Sequence, residues 1–335
     1  MQSAANPLFA CVTENTPEWF TKAHNLVLSL REFGGTWKDA PIIVNFVGSV
    51  EPEYRRTLEA LGAEVDVVAQ YGSRYRFSNK MRMFDLFDGL REFDVLVAVD
   101  CDVLIMGDLS PLIPGDELAI VPAGRDLMTL DDWKVVYEMF DLTPPEPNCI
   151  MRISGQQTYP YYNTGVMTIP RSIGAELVRT WTGMLGNFGP VHERFERVHH
   201  ENQIAFALGV RAGGYTIHEL PAGLNYSTAA TLDRRFRHEL EPPFVVHYHH
   251  AIDEQGFIEG APDKKVNHAI DMFNRHRAET LGLTYTALAA PPLMTRVQKS
   301  ARRRSWYKTK TMRRLRRSPL GRVIRRMSAA GVKRP

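Results

Sequence analysis

The sequence predicts an α/β fold with a mixed, mostly parallel central sheet flanked by helices, followed by a basic C-terminal tail. Short apolar runs alternate with stretches of helical periodicity over most of the first 250 residues. One run, residues 94–105, is apolar on both faces, which is typical of a central strand covered by helices. The chain has 335 residues and is 44% hydrophobic, so it can bury a large core.

In the first third of the chain, short apolar runs typical of strands alternate clearly with stretches of helical periodicity. The predicted strands here are residues 7–15, 41–48 and 63–69. The predicted helices are residues 17–34 and 51–62. In the first helix Ala23, Val27 and Leu30 recur at near-helical spacing, and Gly34 ends it. The alternation favours parallel pairing, because parallel strands need a crossover element between them.

The remaining elements continue this order as far as residue 250. Helices are predicted at residues 78–93, 176–188 and 201–210. Strands are predicted at residues 94–105, 117–124, 161–171, 215–226 and 243–250. Residues 125–160 end in a proline-rich, irregular stretch, which we interpret as an insertion over a site.

Charge divides the chain into an acidic body and a basic tail. Residues 294–335 contain 16 Lys and Arg and no Asp or Glu, whereas residues 1–293 carry a net charge of −13. The composition changes abruptly after the proline-rich stretch near residue 292. We therefore predict one folded domain over residues 1–292 and a partly helical or disordered tail over residues 293–335.

The tail mixes arginine clusters with aromatic and aliphatic residues, a composition that favours anionic membrane surfaces. A disordered, solubilising tail is the alternative, and nucleic-acid binding is disfavoured because no recognition fold is visible. The three cysteines lack metal-site spacing, and neither a signal peptide nor an apolar run of membrane-spanning length is evident. We expect a cytoplasmic protein that binds peripherally to the inner face of the membrane.

Two aspartates, Asp100 and Asp102, follow the apolar run that begins at residue 94. Residues i and i+2 of a strand face the same side, and the carboxyl end of a central strand opens into the crevice where α/β sheets bind ligands. Two adjacent carboxylates repel each other unless a cation lies between them. The pair predicts a divalent-cation site beneath a diphosphate, and Lys80 precedes it on a helix.

Two other interpretations of the pair remain open from the residues alone. The aspartates could cap the following loop. They could also belong to a haloacid-dehalogenase-like phosphatase, in which the first aspartate is a nucleophile. That class is disfavoured, because its D-x-D pair normally ends the first strand, whereas this one lies 100 residues into the chain.

The segment "FDVLVAVDCDVLIMGDLSPL" resembles the metal-binding segment of GT-A-fold glycosyltransferases, and the resemblance is strongest to glycosyltransferase family 8. Further motifs follow the family order over roughly residues 7–250. They are "ACVTENTPEW", "NKMRMF", "YYNTGVMTI", "ENQIAFA" and "FVVHYHH". Single motifs of this kind are weak evidence, but five in order are strong.

The resemblance implies a role for each matching residue. The metal ligands would be Asp100, Asp102 and His247, holding Mn²⁺ or Mg²⁺. Because three histidines lie within four residues here, His247 could instead be structural, or His249 could be the ligand in its place. The donor-binding residues would be Thr13, Asn15, Lys80, Asp100, Thr164 and Gly165. The catalytic residues would be Gln203, Asn163 and Asn202.

Each role has a structural alternative. Thr13 and Asn15 could cap the first helix, and Lys80 could be a solvated residue at a helix start. Asn163 could satisfy neighbouring backbone groups. The pair Asn202 and Gln203 could be no more than a polar helix start.

Two departures from the family pattern concern the diphosphate and the reacting carbon. The family's "K-P-W" lysine after the metal histidine is missing, so Lys80, Lys264 or Lys265 would have to neutralise the diphosphate. The family's D-Q pair is N-Q here, which removes a carboxylate that Glu201 could partly replace.

The resemblance implies transfer of a hexose from a nucleotide sugar, expected to be a UDP-sugar, to a hydroxyl of a glycan or lipid-linked acceptor, with retention of anomeric configuration. The alternative is a non-catalytic GT-A-like binding module anchored by its basic tail. A nucleotidyltransferase is disfavoured, because the first strand is not followed by a glycine-rich phosphate loop.

Overall fold

A computed structural model describes residues 6–72, 76–110, 117–126, 128–195 and 200–287. The strands are β1 (Pro7–Glu14), β2 (Ile42–Val47), β3 (Glu64–Val68), β4 (Val95–Val99), β5 (Val103–Met106), β6 (Leu118–Pro122), β7 (Cys149–Ile150), β8 (Gln157–Thr158), β9 (Tyr162–Pro170), β10 (Ile217–Glu219), β11 (Tyr226–Ser227) and β12 (Phe244–His247).

Seven α-helices flank these strands in the described residues. They are α1 (Pro17–Phe33), α2 (Pro52–Ala60), α3 (Leu130–Met139), α4 (Arg171–Gly186), α5 (Gly189–Arg194), α6 (Glu201–Gly213) and α7 (Lys264–Leu281). Shorter 3-10 segments lie at Gly35–Trp37, Ala222–Asn225 and Arg234–Glu239, and a longer one at Arg76–Asp88.

The central sheet has seven strands in the order β10-β6-β9-β4-β1-β2-β3. Strands β1, β2, β3 and β4 run parallel to one another, and β10 runs parallel to β6. Strand β9 is antiparallel to both β4 and β6. The predicted mixed, mostly parallel sheet flanked by helices is confirmed, with β9 as the antiparallel strand near its middle.

The predicted strand over residues 94–105 is wrong in one important respect. It consists of two strands, β4 in the central sheet and β5 in a second, three-stranded sheet of order β11-β12-β5. Asp100, Cys101 and Asp102 form the turn between them. The two aspartates therefore lie where the chain passes from one sheet to the other, so strand alternation does not determine where their side chains point.

Several other elements differ from the sequence prediction. The helix predicted at residues 78–93 is the 3-10 segment Arg76–Asp88. The region 125–160 is partly regular, since it contains α3 and the two-stranded pair of β7 and β8.

Helix α7 was not predicted, although its signals are present in the sequence. Asp263 caps its first turn, because its side chain accepts a hydrogen bond from the Lys265 N–H at 2.9 Å. Val266, Ile270 and Phe273 lie on its buried face at helical spacing.

Buried apolar residues cover both faces of the central sheet. One cluster joins Leu8, Leu96 and Met167 to the α4 and α6 side, where Trp181 and Phe206 pack with ring centroids 5.0 Å apart. The opposite cluster joins the other face of β1 to α1. Burial on both faces fixes the sheet as a layer between helices, with the ends of its strands left to form a site.

Three properties of the described residues bear on the remaining sequence expectations. All three cysteines are free and buried. Within the described ranges, no helix has the length and apolar character needed to cross a membrane. The predicted tail, residues 293–335, and its boundary lie outside the described residues.

Candidate active site

A cavity of about 720 Å³ opens at the carboxyl ends of the parallel strands, between the two sheets. Its wall includes eight of the sequence-predicted site residues, Thr13, Lys80, Asp100, Asp102, Asn163, Asn202, Gln203 and His247. These residues come from β1, the Arg76–Asp88 segment, the β4–β5 turn, β9, α6 and β12. The fold thus brings together side chains that are up to 234 residues apart, from position 13 to position 247.

The two aspartates of the turn face different partners. Asp100 Oδ1 lies 2.7 Å from Lys80 Nζ. Asp102 Oδ1 lies 3.1 Å from His247 Nε2, and Asp100 Oδ2 lies 3.9 Å from the same nitrogen. Their backbone is fixed, since the Asp100 N–H donates to Gly165 O and the Tyr248 N–H donates to Asp102 O. The turn therefore joins a cationic side of the cavity to an imidazole side.

Lys80 connects the D-C-D turn to β9. Besides its ion pair with Asp100, its Nζ donates to Thr164 O at 3.2 Å and to Thr164 Oγ1 at 3.3 Å. Its side chain is mostly buried, so it is not the solvated helix-start residue that the structural alternative described. These three oxygens, one of which belongs to the Asp100 carboxylate, hold the ammonium group at the wall of the cavity.

His247 is the buried centre of the imidazole side. Its Nδ1 lies 3.0 Å from Asn225 Oδ1, which orients the ring and leaves Nε2 toward Asp102. Burial lowers the pKa of His247, but the carboxylates of Asp102 and Asp100 together raise it by more, so the net direction is upward. Burial raises the pKa of Asp102, but His247, His249 and Lys22 together lower it by more, so the net direction is downward.

His249 joins the same cluster from two residues further along. Its ring centroid lies 4.0 Å from that of His247, and its Nε2 lies 2.9 Å from Ser227 Oγ. One potential ligand atom from each of Asp102, His247 and His249 lies within 4.8 Å of the others. Burial and the neighbouring His247 lower the pKa of His249 to about 3, so its imidazole is neutral at physiological pH.

Gly165 allows β9 to pass directly beneath this cluster. A Cβ atom at this position would lie 2.8 Å from His247 Cε1 and 3.0 Å from Asp100 Oδ2. Both neighbours belong to side chains that the site holds in place. The glycine therefore provides the close approach that the D-C-D turn and His247 require.

The amide side of the cavity consists of Asn163, Asn202 and Gln203. The Oδ1 of Asn163 accepts from the Gly165 N–H at 3.0 Å, so this side chain does satisfy a neighbouring backbone group while it lines the cavity. Asn202 is buried, and its Nδ2 donates to Thr164 Oγ1 at 3.3 Å. Gln203 is half-buried in the first turn of α6.

Thr13 and Asn15 have different surroundings. Thr13 lines the cavity, and its Oγ1 donates to Trp19 O at 2.9 Å. The amide of Asn15 instead bonds to Ser49 Oγ and to the Glu51 N–H. Neither caps α1, because that cap is Thr16, whose side chain accepts from the Trp19 N–H.

The structure contradicts three of the residues that the sequence offered in place of the family's missing lysine and carboxylate. Lys264 and Lys265 line a separate apolar groove, where Lys265 pairs with Glu241. Glu201 pairs with His192 and is not among the described residues that line the cavity. Lys80 is therefore the candidate for the diphosphate among those three lysines.

Sequence reasoning missed several residues of the cavity wall. Arg125, Arg152 and His200 line it, and Arg152 is held by Glu219 and Glu239. Arg125 and Arg152 lie on either side of the proline-rich stretch. The predicted insertion over the site was therefore the sequence signal that could have identified them. His200 directly precedes the N-Q pair and is the N-cap residue of α6.

The profile of the Rhodobacterales glycosyltransferase domain matches residues 2–214. The chain belongs to this glycosyltransferase family. The match covers β1, the D-C-D turn, β9 and α6, so it includes every predicted site residue except His247. No curated protein matches the chain in sequence.

Three solved structures are similar to this glycosyltransferase chain. An active-site mutant of LgtC matches with a TM-score of 0.52 and 14% identity, over 83% of this chain and 97% of that chain. Galactosyltransferase LgtC in complex with donor and acceptor sugar analogs matches with a TM-score of 0.49 and 14% identity, over 87% and 99%. Mouse xyloside xylosyltransferase 1 matches with a TM-score of 0.42 and 14% identity, over 71% and 96%. The match with a TM-score of 0.52 confirms the predicted GT-A glycosyltransferase fold.

Proposed function

We propose that this glycosyltransferase moves a hexose from a nucleotide sugar, expected to be a UDP-sugar, to an acceptor hydroxyl, in a metal-dependent reaction that retains anomeric configuration. One observation carries the proposal. Asp100, Asp102, Lys80, His247 and the three amide residues line one cavity at the carboxyl ends of the parallel strands. In open α/β sheets this is the place where ligands bind.

The residues of the imidazole side fit a divalent cation. Asp102 and Asp100 offer carboxylate oxygens, and His247 offers Nε2 from a ring that Asn225 orients. Carboxylates suit Mg²⁺ and Mn²⁺, whereas an imidazole suits Mn²⁺ better than Mg²⁺. When bound, such a cation would stabilise the charge on a departing diphosphate.

Lys80 would hold the diphosphate from the opposite side. Its ammonium group is 2.7 Å from Asp100 Oδ1 and is oriented by Thr164. This places one fixed positive charge beside the cation ligands, in a chain that lacks the family's "K-P-W" lysine. A preorganised charge of this kind stabilises a leaving group without reorganisation during the reaction.

The amide side would position the sugar. Asn163 and Gln203 would direct their oxygens at the ring, where positive charge develops as the bond between the anomeric carbon and the diphosphate breaks. The acceptor oxygen would attack from the same face, and its proton would pass to the leaving diphosphate. Asn202 carries no nucleophilic carboxylate, which is why we favour this front-face route over a covalent intermediate.

The release of nucleoside diphosphate tests the proposal directly. A panel of sugar nucleotides would be incubated with Mn²⁺, with Mg²⁺ and with EDTA, for the wild-type protein and for Asp102→Asn. We expect turnover with a UDP-hexose and Mn²⁺, and a loss of at least about 100-fold in EDTA or in Asp102→Asn, since a ligand matters more than an outer-shell partner. Asp131→Asn is the matched control, because Asp131 is an exposed residue of α3 that pairs with Lys134. Activity that persists in EDTA would reject the metal-dependent mechanism.

A binding module without turnover is the second candidate, and the N-Q pair at Asn202 and Gln203 favours it. The same panel distinguishes the two functions. Binding of a sugar nucleotide by calorimetry, with no release of diphosphate for any acceptor, would identify the binding module.

We also propose that the folded domain ends near residue 292 and that residues 294–335 bind an anionic membrane surface. The support is compositional, namely 16 basic residues interleaved with aromatic and aliphatic ones. A tail of this kind would place the cavity near a lipid-linked acceptor at the inner face of the membrane. Co-sedimentation with anionic liposomes, with and without residues 294–335, tests it, and equal partitioning would reject it.

A further inference from the structure

The turn that follows β12 places a second imidazole against the cation ligands. We propose that His249 is a direct ligand of the divalent cation, in addition to His247 and Asp102. This inference rests on the cation site of the proposed function and goes beyond it, because it adds a nitrogen ligand and changes which ions the site prefers. The geometry points to it, since one ligand atom from each of the three side chains lies within 4.8 Å of the others.

The backbone of His249 is what brings its ring to the cluster. Its φ angle is 58°, in the left-handed region that residues other than glycine rarely adopt. In an extended strand, residues i and i+2 lie one after the other along the sheet, so the rings of His247 and His249 would be separated along it. Here the chain turns after Tyr248, and the two rings pack against each other with centroids 4.0 Å apart and their planes inclined by 32°. An uncommon backbone conformation that persists is held by its surroundings, and such positions cluster at functional sites.

Each imidazole is tied by one ring nitrogen to a polar side chain of the same short segment. Asn225 Oδ1 lies 3.0 Å from His247 Nδ1, and Ser227 Oγ lies 2.9 Å from His249 Nε2. Ser227 and His247 are also register partners in the β11–β12 pair. A hydrogen bond to one ring nitrogen is the usual support for a histidine whose other nitrogen binds metal. The remaining nitrogens are then His247 Nε2 and His249 Nδ1.

The second imidazole predicts a different ion preference. Mg²⁺ demands oxygen ligands and retains its waters, whereas imidazole suits Mn²⁺, Co²⁺ and Zn²⁺ better. Affinity rises from Mn²⁺ to Co²⁺ at most nitrogen and oxygen sites, so a preference for Co²⁺ alone would not identify His249. The discriminating quantity is the change in each affinity when the His249 imidazole is removed.

The experiment is a calorimetric titration of the full-length chain with CoCl₂, MnCl₂ and MgCl₂, without any sugar nucleotide. The variants are His249→Asn and, as a matched control, His250→Asn. Asparagine tolerates the left-handed backbone, so the first variant keeps the turn. His250 contacts Glu18 and Lys22, and it lies outside the three-residue cluster. We expect His249→Asn to weaken Co²⁺ binding by at least about 10-fold and Mg²⁺ binding by less than about 2-fold, with His250→Asn unchanged.

A spectroscopic measurement counts the imidazoles directly. Pulsed electron paramagnetic resonance of the Mn²⁺-loaded protein should show nitrogen couplings from two imidazoles in the wild type and from one in His249→Asn. One coupled imidazole in the wild type, or an unchanged Co²⁺ affinity in His249→Asn, would overturn the inference while leaving the proposed function intact. Absence of sugar-nucleotide turnover with two coupled imidazoles would instead reject the proposed function alone.

Discussion

The imidazole side and the amide side of the cavity are built differently. On the imidazole side, His247 and His249 are supported by Asn225 and Ser227, all within 25 residues of one another and all belonging to or bordering the small sheet. On the amide side, Asn163 and Asn202 come from β9 and α6 and are linked through Thr164. The difference suggests two separable tasks, with cation retention on the first side and sugar positioning on the second.

The replacement of Gly165 by alanine should break both sides together. The added methyl group would lie within 3.0 Å of His247 Cε1 and Asp100 Oδ2, and neither side chain can move without losing a partner. We expect kcat/KM to fall by on the order of 100-fold and Mn²⁺ binding to weaken, because a displacement of about 1 Å at a reacting centre can cost that much.

Gly183→Ala is the matched control for this change. Gly183 lies inside α4 with open space around its Cα, so alanine should raise the free energy of unfolding by about 0.5–1 kcal/mol without affecting turnover. Thermal unfolding and steady-state kinetics would be measured for both variants. Wild-type kinetics in Gly165→Ala would show that the close approach is unimportant.

The truncation of Gln203 should affect the amide side only. We expect Gln203→Ala to lower kcat by roughly 10- to 100-fold, since it removes one preorganised dipole near the developing charge. The Mn²⁺ affinity should stay at the wild-type value, because Gln203 is not part of the Asp102–His247–His249 cluster. Calorimetry and initial rates would be compared, and a parallel loss of both quantities would contradict the separation of tasks.

The truncation of Asn225 should affect the imidazole side first. Asn225→Ala removes the oxygen that orients His247 through Nδ1. We expect the Mn²⁺ affinity to fall by about 10-fold, the lower end of the range for outer-shell partners of metal-binding histidines. At saturating Mn²⁺, kcat should recover to within about 2-fold of wild type. A kcat that stays low at saturating Mn²⁺ would show that Asn225 also positions the sugar.

The imidazole side and the amide side can be compared only at pH values where the protein remains folded. Burial, together with the charge of Arg277, lowers the pKa of His24 to about 4, so the folded protein holds this imidazole neutral. The unfolded chain takes up the proton below about pH 6.5, so the free energy of unfolding decreases as the pH falls through that value. Between roughly pH 7.5 and pH 5 we expect this residue to lower the free energy of unfolding by about 2 kcal/mol. The activity at pH 7.5 should not be affected by this titration.

Urea unfolding at the two pH values measures this effect. His24→Gln should reduce the dependence by about 2 kcal/mol, because glutamine can accept from Arg277 without titrating. The part that His249 contributes should remain, since its pKa is also lowered in the folded protein. An unfolding free energy that is equally pH-dependent in this variant would assign the loss to other groups.

Patterns along the chain predicted the central sheet well. Strands β1, β2, β3, β6 and β9 lie within two residues of the predicted ranges, because their apolar runs are short and bounded by turn residues. Helix α7 was missed, although Asp263 and Gly282 mark its ends. The segment between Tyr248 and Asp263 shows no clear helical or strand periodicity, so the start of α7 was not evident from the sequence.

The candidate site was predicted in its composition and less well in its geometry. Eight predicted residues do line one cavity, as the family resemblance implied. The assumption that Asp100 and Asp102 share a strand face was wrong, since the chain changes sheets between them. Nothing in a local pattern could indicate that β5 leaves the central sheet, because the pairing of β5 with β12 joins residues about 140 positions apart.

The sequence by itself determined the α/β class, the positions of most central strands, and the chemical groups available to the site, since these follow from local periodicity and residue identity. Only the tertiary structure decided how those groups are paired. It directs Asp100 to Lys80 and Asp102 to His247, uses Asn15 and Glu201 elsewhere, and adds His249 to the cluster. The physical reason is that these pairings depend on contacts between distant segments, whose geometry is fixed by the packing of the two sheets.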